Sequence, residues 1–405
     1  MNSTRWLTRM FSLTFALAAA LGITALASSA TFAQITKGMT ATQKGGQPAA
    51  QNRSAGAVFA MTNETAGNEI VVYSRATDGT LTRRNNRERT RGLGIGVDTD
   101  TQGPLRLSDD NRFLYAVNPG SDNITVFEVT GTRLRFLQII YAGDQPLSLT
   151  LSGDLLYVLN GSVAGNGIRG FRVAPDGTLT QLPDSFRALS SPIAVPGEVR
   201  FSPDGRLLLV THKTTNLVLS PQNAIDAFTI GADGYASAMP IRNPSFGLRP
   251  FSLAFRNDSK LVVVESFNAA PNLSAASSYQ LNPDGTITVI SGSVPNLQTD
   301  VCWVVITNDG RFAFTSNFGS GTISSYGFAP SGTLTLINGA AAFLGTTSQP
   351  VDPDISADGR FLYQLLRGTG AVAAFRIEDN GSLAALGVVV GGLPVDDGAS
   401  GLAAY

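Results

Sequence analysis

The 405-residue sequence predicts an all-β fold, a seven-bladed β-propeller whose ring is closed by pairing the C-terminal strand with the N-terminal blade. Three observations predict it: a four-strand unit, its sevenfold recurrence, and two chain ends that are each an incomplete blade. The clearest unit starts with the apolar run Val301–Ile306 and continues to Ile337. Phe312, Phe314, Ile323 and Phe328 supply aromatic and branched bulk suited to half-buried pleated surfaces. Asn308-Asp309-Gly310 and Pro330-Ser331-Gly332 are turn chemistry between those runs. The first turn returns at Ser108–Arg112, Ser202–Arg206, Arg256–Lys260 and Ser356–Arg360, with a shortened copy at Ser152–Asp154. The last turn returns at Gly79, Gly131, Gly177, Gly234, Gly285, Gly332 and Gly381, roughly 50 residues apart, a spacing in the range of propeller blades.

Innermost strands are expected to begin near Pro104, Pro146, Gly197, Phe251, Val301, Asp352 and Ser400. The last of these ends the chain at Tyr405 without outer strands, while Val58–Asn63 opens three strands without an innermost one. Joined, they make one blade and remove two free sheet edges. Ahead of the propeller (56–405), residues 1–33 read as a signal peptide: Arg5 and Arg9, an apolar run from Phe11 to about Ala27, then small residues with cleavage after Ala30 or Ala33. The run, about 17 residues, is short for a membrane span, so no span is expected after processing. Residues 34–55 read as a flexible leader. A periplasmic or secreted protein, monomeric, is expected.

Charge is nearly balanced, 29 basic against 30 acidic residues, which argues against nucleic acid as partner. Arg83, Arg84, Arg87, Arg89 and Arg91 crowd one outer-strand segment, read as a solvated loop rather than an anionic-partner patch. The lone Cys302, in an apolar run beside Trp303, reads as buried and inert. One His and one Cys exclude ordinary zinc or iron sites, and no cofactor is expected. Asp98, Asp100, Asp352 and Asp354 read as loop caps rather than Ca²⁺ ligands.

Counting eight residues on from each first-turn Asp, or its equivalent, gives Asn63, Asn118, Asn160, His212, Ser266, Asn317 and Leu366. Six of the seven are polar at the end of an apolar strand, so they form either strand terminators or a polar rim at one channel mouth. Arg249 and Glu265 flank the turn at Asn257 at equal distance, so the hairpin sets them opposite one another on that rim. Such a pair is a structural ion pair, or a site where a guanidinium holds a carboxylate and a carboxyl group moves a proton.

These motifs resemble the seven-bladed lactonase family, which contains bacterial 6-phosphogluconolactonases and fungal carboxy-cis,cis-muconate cyclases. The resemblance rests on the repeated Pro-Asp-Gly-Arg turns, and on Gly247-Leu248-Arg249 followed sixteen residues later by Glu265, as in that family's Gly-Pro-Arg-His block and Asn-Glu-Leu motif. It implies that Arg249 and Glu265 are the active-site Arg and Glu, while the polar-rim reading of the residue count makes Asn118, Asn160, Ser266 and Asn317 the binding residues around them. Three family positions depart: a His is replaced by Gly197, an Ile-His pair by Val305-Ile306 and an Arg by Phe318, with His212 as the candidate stand-in for the His at Gly197. The implied function is an exported enzyme that opens or closes a lactone, acting on a small lactone or organic acid. The alternative is a non-catalytic propeller that binds a peptide, a glycan or an envelope protein.

Overall fold

The computed structural model describes residues 55–162, 165–213, 223–396 and 398–405. The expected signal peptide and all of the leader except Ala55 lie outside these residues. Seven antiparallel sheets follow one another along the chain. Blade one is Leu402–Ala404, Gly56–Met61, Glu69–Arg75 and Leu81–Arg89, listed from axis to rim. The innermost strands of blades two to seven are Leu105–Leu107, Pro146–Ser152, Pro196–Phe201, Pro250–Phe255, Val301–Ile306 and Pro350–Ile355, each within two residues of its expected start. Closure is as expected: Val58, Phe59 and Ala60 pair with Ala404, Ala403 and Leu402.

The repeated sequence motifs hold the blades together. Tyr115, Tyr157 and Tyr363, on the second strands of blades two, three and seven, are fully buried. Their hydroxyls donate to the carbonyls of Gly177 (3.1 Å), Gly234 (2.8 Å) and Gly79 (3.0 Å), each in the last turn of an adjacent blade. A buried phenol needs such a partner, so the Tyr and the turn Gly are two halves of one interblade bond. Glycine is required at these turns: Gly79 and Gly177 have φ of +87° and +84°, and a Cβ there would lie 2.2 Å from Phe361 and Phe113 respectively. The apolar core fills the spaces between neighbouring sheets, as in the cluster joining Leu207, Leu209 and Ile225 of blade four to Leu253, Leu261, Val263 and Tyr279 of blade five.

Residues 98–103, which lead from blade one into blade two, lie across the axial channel. Gln102 is 2% exposed. Its amide donates to the Val304 carbonyl and accepts from the Val304 N–H, both at 2.9 Å. Its own N–H donates to the Gly197 carbonyl (3.1 Å), and its carbonyl accepts from Ser148 (2.6 Å). Trp303 donates to the Thr101 carbonyl (3.1 Å), and Gly103 N–H donates to Asp352 (3.2 Å). One short segment is thereby bonded to blades three, four, six and seven. It separates an upper mouth, where the innermost strands begin, from a lower mouth, where they end.

Candidate functional site

At the upper mouth a backbone irregularity recurs. The residue just before the innermost strand has left-handed φ in four blades: Gln145 (52°), Arg249 (56°), Asp300 (58°) and Gln349 (47°). Non-glycine residues sit there at a cost of about 1 kcal/mol or more each. The irregularity brings Arg249 and Asp300 to the mouth from adjacent blades, where they meet Asp100 of the crossing segment and Lys213, which follows the second strand of blade four. Lys213 Nζ is 2.5 Å from Asp100 Oδ2, and Arg249 Nη2 is 3.7 Å from the same oxygen. The Lys213 ammonium also donates to the Asp100 carbonyl and lies 4.1 Å from the centroid of Phe251. The Lys213 side chain is sealed, whereas those of Arg249 and Asp100 remain partly open. Phe251 packs on Trp303 with centroids 5.0 Å apart, and Trp303 packs on Phe318. The first two rings are sealed, Phe251 fully buried and Trp303 1% exposed, so they pack beneath the charged rim without facing solvent.

Environment sets the charge states. Burial pushes Asp300 above the usual carboxylate range, with Arg249 opposing it. Burial, then the charge of Asp100, raises Asp98 to about 6. Burial pulls Lys213 below its ordinary value, and Asp100 opposes that. The Cys302 thiol, 3.5 Å from Asp300 Oδ1, is pushed well up by burial and by Asp300 and Asp100. It stays protonated, in keeping with the inert reading of the sequence.

Two geometric expectations are corrected. The count along blade five overshoots by one residue. Its first turn closes Arg256 N–H to Lys260 O, one residue tighter than Ser202 to Leu207 or Thr307 to Phe312. The residue equivalent to Asn160, His212 and Asn317 is therefore Glu265, opposite the innermost-strand start Pro250, and not Ser266. The same one-residue change parts Glu265 from Arg249, because successive strand residues face opposite ways. Glu265 is fully buried and accepts from Gly247 N–H (2.9 Å), Ser277 (2.5 Å) and Ser293 (2.6 Å). Burial raises its pKa, and these three hydrogen bonds oppose the rise. It anchors the loop that carries Arg249, with no ion pair between the two.

The other ring residues hold loops in the same way. Asn63 donates to Val97 and Gly398 carbonyls, and Asn160 to that of Ala142. Asn118 donates to Asn123 and Thr125, and Asn317 to Thr322 and Ser324. His212 Nε2 lies 2.9 Å from Asp226 Oδ2, an oxygen that also accepts the Ser190 N–H (2.7 Å). All are fully buried, as is Ser266. The ring thus surrounds the mouth without lining it. A side chain at Gly197 is impossible, since its Cβ would lie 1.9 Å from the Phe251 carbonyl oxygen. Phe318 is covered by the Arg367 guanidinium at 5.8 Å, so the seventh blade brings a cation over the position where the family carries its second Arg. Sequence reasoning missed Asp100, Lys213, Asp300 and Arg367. Asp300 was within reach, because it occupies the same blade position as Arg249.

Fold and mouth together define a seven-bladed propeller with cationic and acidic side chains gathered at its upper mouth. Residues 53–195 match the sequence model of the family described as Lactonase, 7-bladed beta-propeller. The family resemblance read from the motifs is borne out over that segment. A search of curated protein sequences finds no match. Among solved structures, a Lactobacillus plantarum protein is similar at 18% identity and TM-score 0.65, covering 86% of this chain and 98% of its own. A candidate 6-phosphogluconolactonase from Bacteroides fragilis is 19% identical with TM-score 0.64, over 89% of this chain and 100% of its own. The periplasmic gluconolactonase of Pseudomonas aeruginosa is 18% identical with TM-score 0.61, over 86% and 99%. At these identities the likeness establishes the fold.

Proposed function

We propose that the chain is an exported lactonase that hydrolyses an unphosphorylated sugar lactone at the upper mouth. The observation that carries this reading is the convergence of Arg249, Asp100 and Asp300 at the upper mouth, above the buried rings of Phe251 and Trp303. Arg249 stabilises the oxyanion as water adds to the lactone carbonyl. Asp300 accepts the proton of that water, its raised pKa making it a stronger base than an ordinary aspartate. It returns the proton to the ring oxygen as the C–O bond breaks, leaving the open hydroxy acid. Asp100, fixed by Lys213, aims the guanidinium. Similarity to a gluconolactonase supports this substrate class, and the basic start, apolar run and small-residue site support export.

The test is turnover of glucono-δ-lactone by the full chain, followed against its spontaneous hydrolysis. Asp300→Asn should reduce the rate at least a hundredfold with the fold intact, and Arg249→Lys should also fail, because a point charge does not replace a planar fork. An active wild type whose Asp300→Asn variant keeps its rate would remove Asp300 from the mechanism. Inactivity of the wild type across a panel of lactones would overturn the enzyme reading.

A further inference from the structure

The lower mouth opens into a cavity of about 600 Å³, the size of a small-molecule site. Its charged groups are arranged unevenly. Glu198 has no exposed surface and sits behind the wall, 2.9 Å from Arg106 Nη2 and 3.0 Å from Arg200 Nε. Its second oxygen accepts the Leu253 N–H (2.9 Å). Asp354 is likewise engaged by backbone, accepting from Ala404 N–H (2.8 Å) and Ile355 N–H (2.9 Å). The carboxylates are thus occupied on the protein side. Each arginine is held in contact through one nitrogen, on Glu198, and the buried Asp354 adds an attractive charge to both guanidiniums from the same wall. Both side chains line the cavity, about four-fifths buried at 22% and 20% exposure. The remaining charge on the lining is Asp109, exposed at its edge.

A guanidinium presents five donors, and a carboxylate behind it fixes the plane without using them all. The wall is therefore rich in pre-oriented donors and poor in free acceptors. A ligand with two adjacent acceptor oxygens meets that geometry at little entropic cost. We propose that the lower cavity is a second binding site, for a small carboxylate anion held by the outward faces of Arg106 and Arg200. The site is independent of chemistry at the upper mouth, because residues 98–103 stand between the two.

The test is calorimetric titration of the full chain with gluconate. Arg249→Met disables the upper mouth, and gluconate binding is expected to persist in it. Arg200→Lys keeps a charge opposite Glu198 but loses the fork, and affinity should fall at least tenfold. Arg106→Gln tests the same site from the other arm and should show a similar loss, with thermal scans confirming that each variant is folded. Binding that vanishes in Arg249→Met, or that is unchanged in both arginine variants, would overturn the assignment. Equal affinity for sulfate would replace a carboxylate site by a general anion site and overturn the ligand class.

Discussion

Gln102 offers the sharpest test of the axial architecture. Its amide makes two 2.9 Å hydrogen bonds to Val304, whose backbone is fully buried. Gln102→Leu keeps the bulk and removes both bonds, leaving one buried N–H and one buried C=O unpaired. Each orphaned group costs about 1–3 kcal/mol, so a total of about 3 kcal/mol is expected after local relaxation. Unfolding entropy scales with chain length at about 2.1 cal/mol/K per residue, which converts that loss to roughly 4 °C in Tm for a propeller of this size. Gln102→Glu separates the two bonds. Its carboxylate accepts from Val304 N–H but faces the Val304 carbonyl, whereas its protonated form donates there. The folded pKa of this Glu should therefore lie above its unfolded value. Its stabilising contribution is present below the unfolded value and is lost as pH rises through the folded one. Differential scanning calorimetry against wild type, from about pH 5 to about pH 8, should show the deficit of Gln102→Glu growing with pH. A Gln102→Leu Tm within a degree of wild type, or a pH-independent Gln102→Glu deficit, would refute the clamp.

Four further outcomes are expected. Removing Ser400–Tyr405 leaves Val58–Ala60 unpaired and strips Asp352 and Asp354 of the N–H groups of Gly401 and Ala404, so thermal stability should drop by many degrees. Lactone turnover should fall as pH decreases, with a midpoint above the ordinary aspartate value, because Asp300 must be ionised to accept a proton and burial raises its pKa; a midpoint at or below that value would count against Asp300. Native protein should resist thiol reagents and react at Cys302 only after unfolding, since the thiol is buried and held protonated. Protein recovered from the cell envelope should start near Thr31 or Gln34 on N-terminal sequencing, and an intact Met1 chain in the membrane fraction would argue for an anchor.

Blade number, ring closure and innermost-strand starts were legible because each is written in short-range chemistry. Gly177 and Asp204 shape turns within a few residues, and the Tyr115–Gly177 bond recurs at Tyr157–Gly234 and Tyr363–Gly79. The site was less legible. Hairpin counting brought Arg249 and Glu265 to one end of blade five, but it assumed turns of equal length. One residue fewer between Arg256 and Lys260 turned the carboxylate inward to Ser277 and Ser293. Asp100 and Lys213 come from blades one and four, and their meeting depends on the path of the segment across the axis. No local pattern encodes a contact over 113 residues. Gly197 is a different case. Its missing side chain reads as a lost functional group, yet the Phe251 carbonyl leaves no room for any.

The segment from Asp98 to Gly103 also determines how solutes move. A propeller axis is a natural conduit, and this one is blocked midway by Gln102 and Trp303. Each end is a blind vestibule that exchanges only with bulk liquid. If both proposals hold, an acid released above reaches the arginines below only by leaving, diffusing round the rim and returning. Occupancy below would then track the accumulated level of that acid in the surroundings, averaged over many molecules, and carry no memory of any single event above.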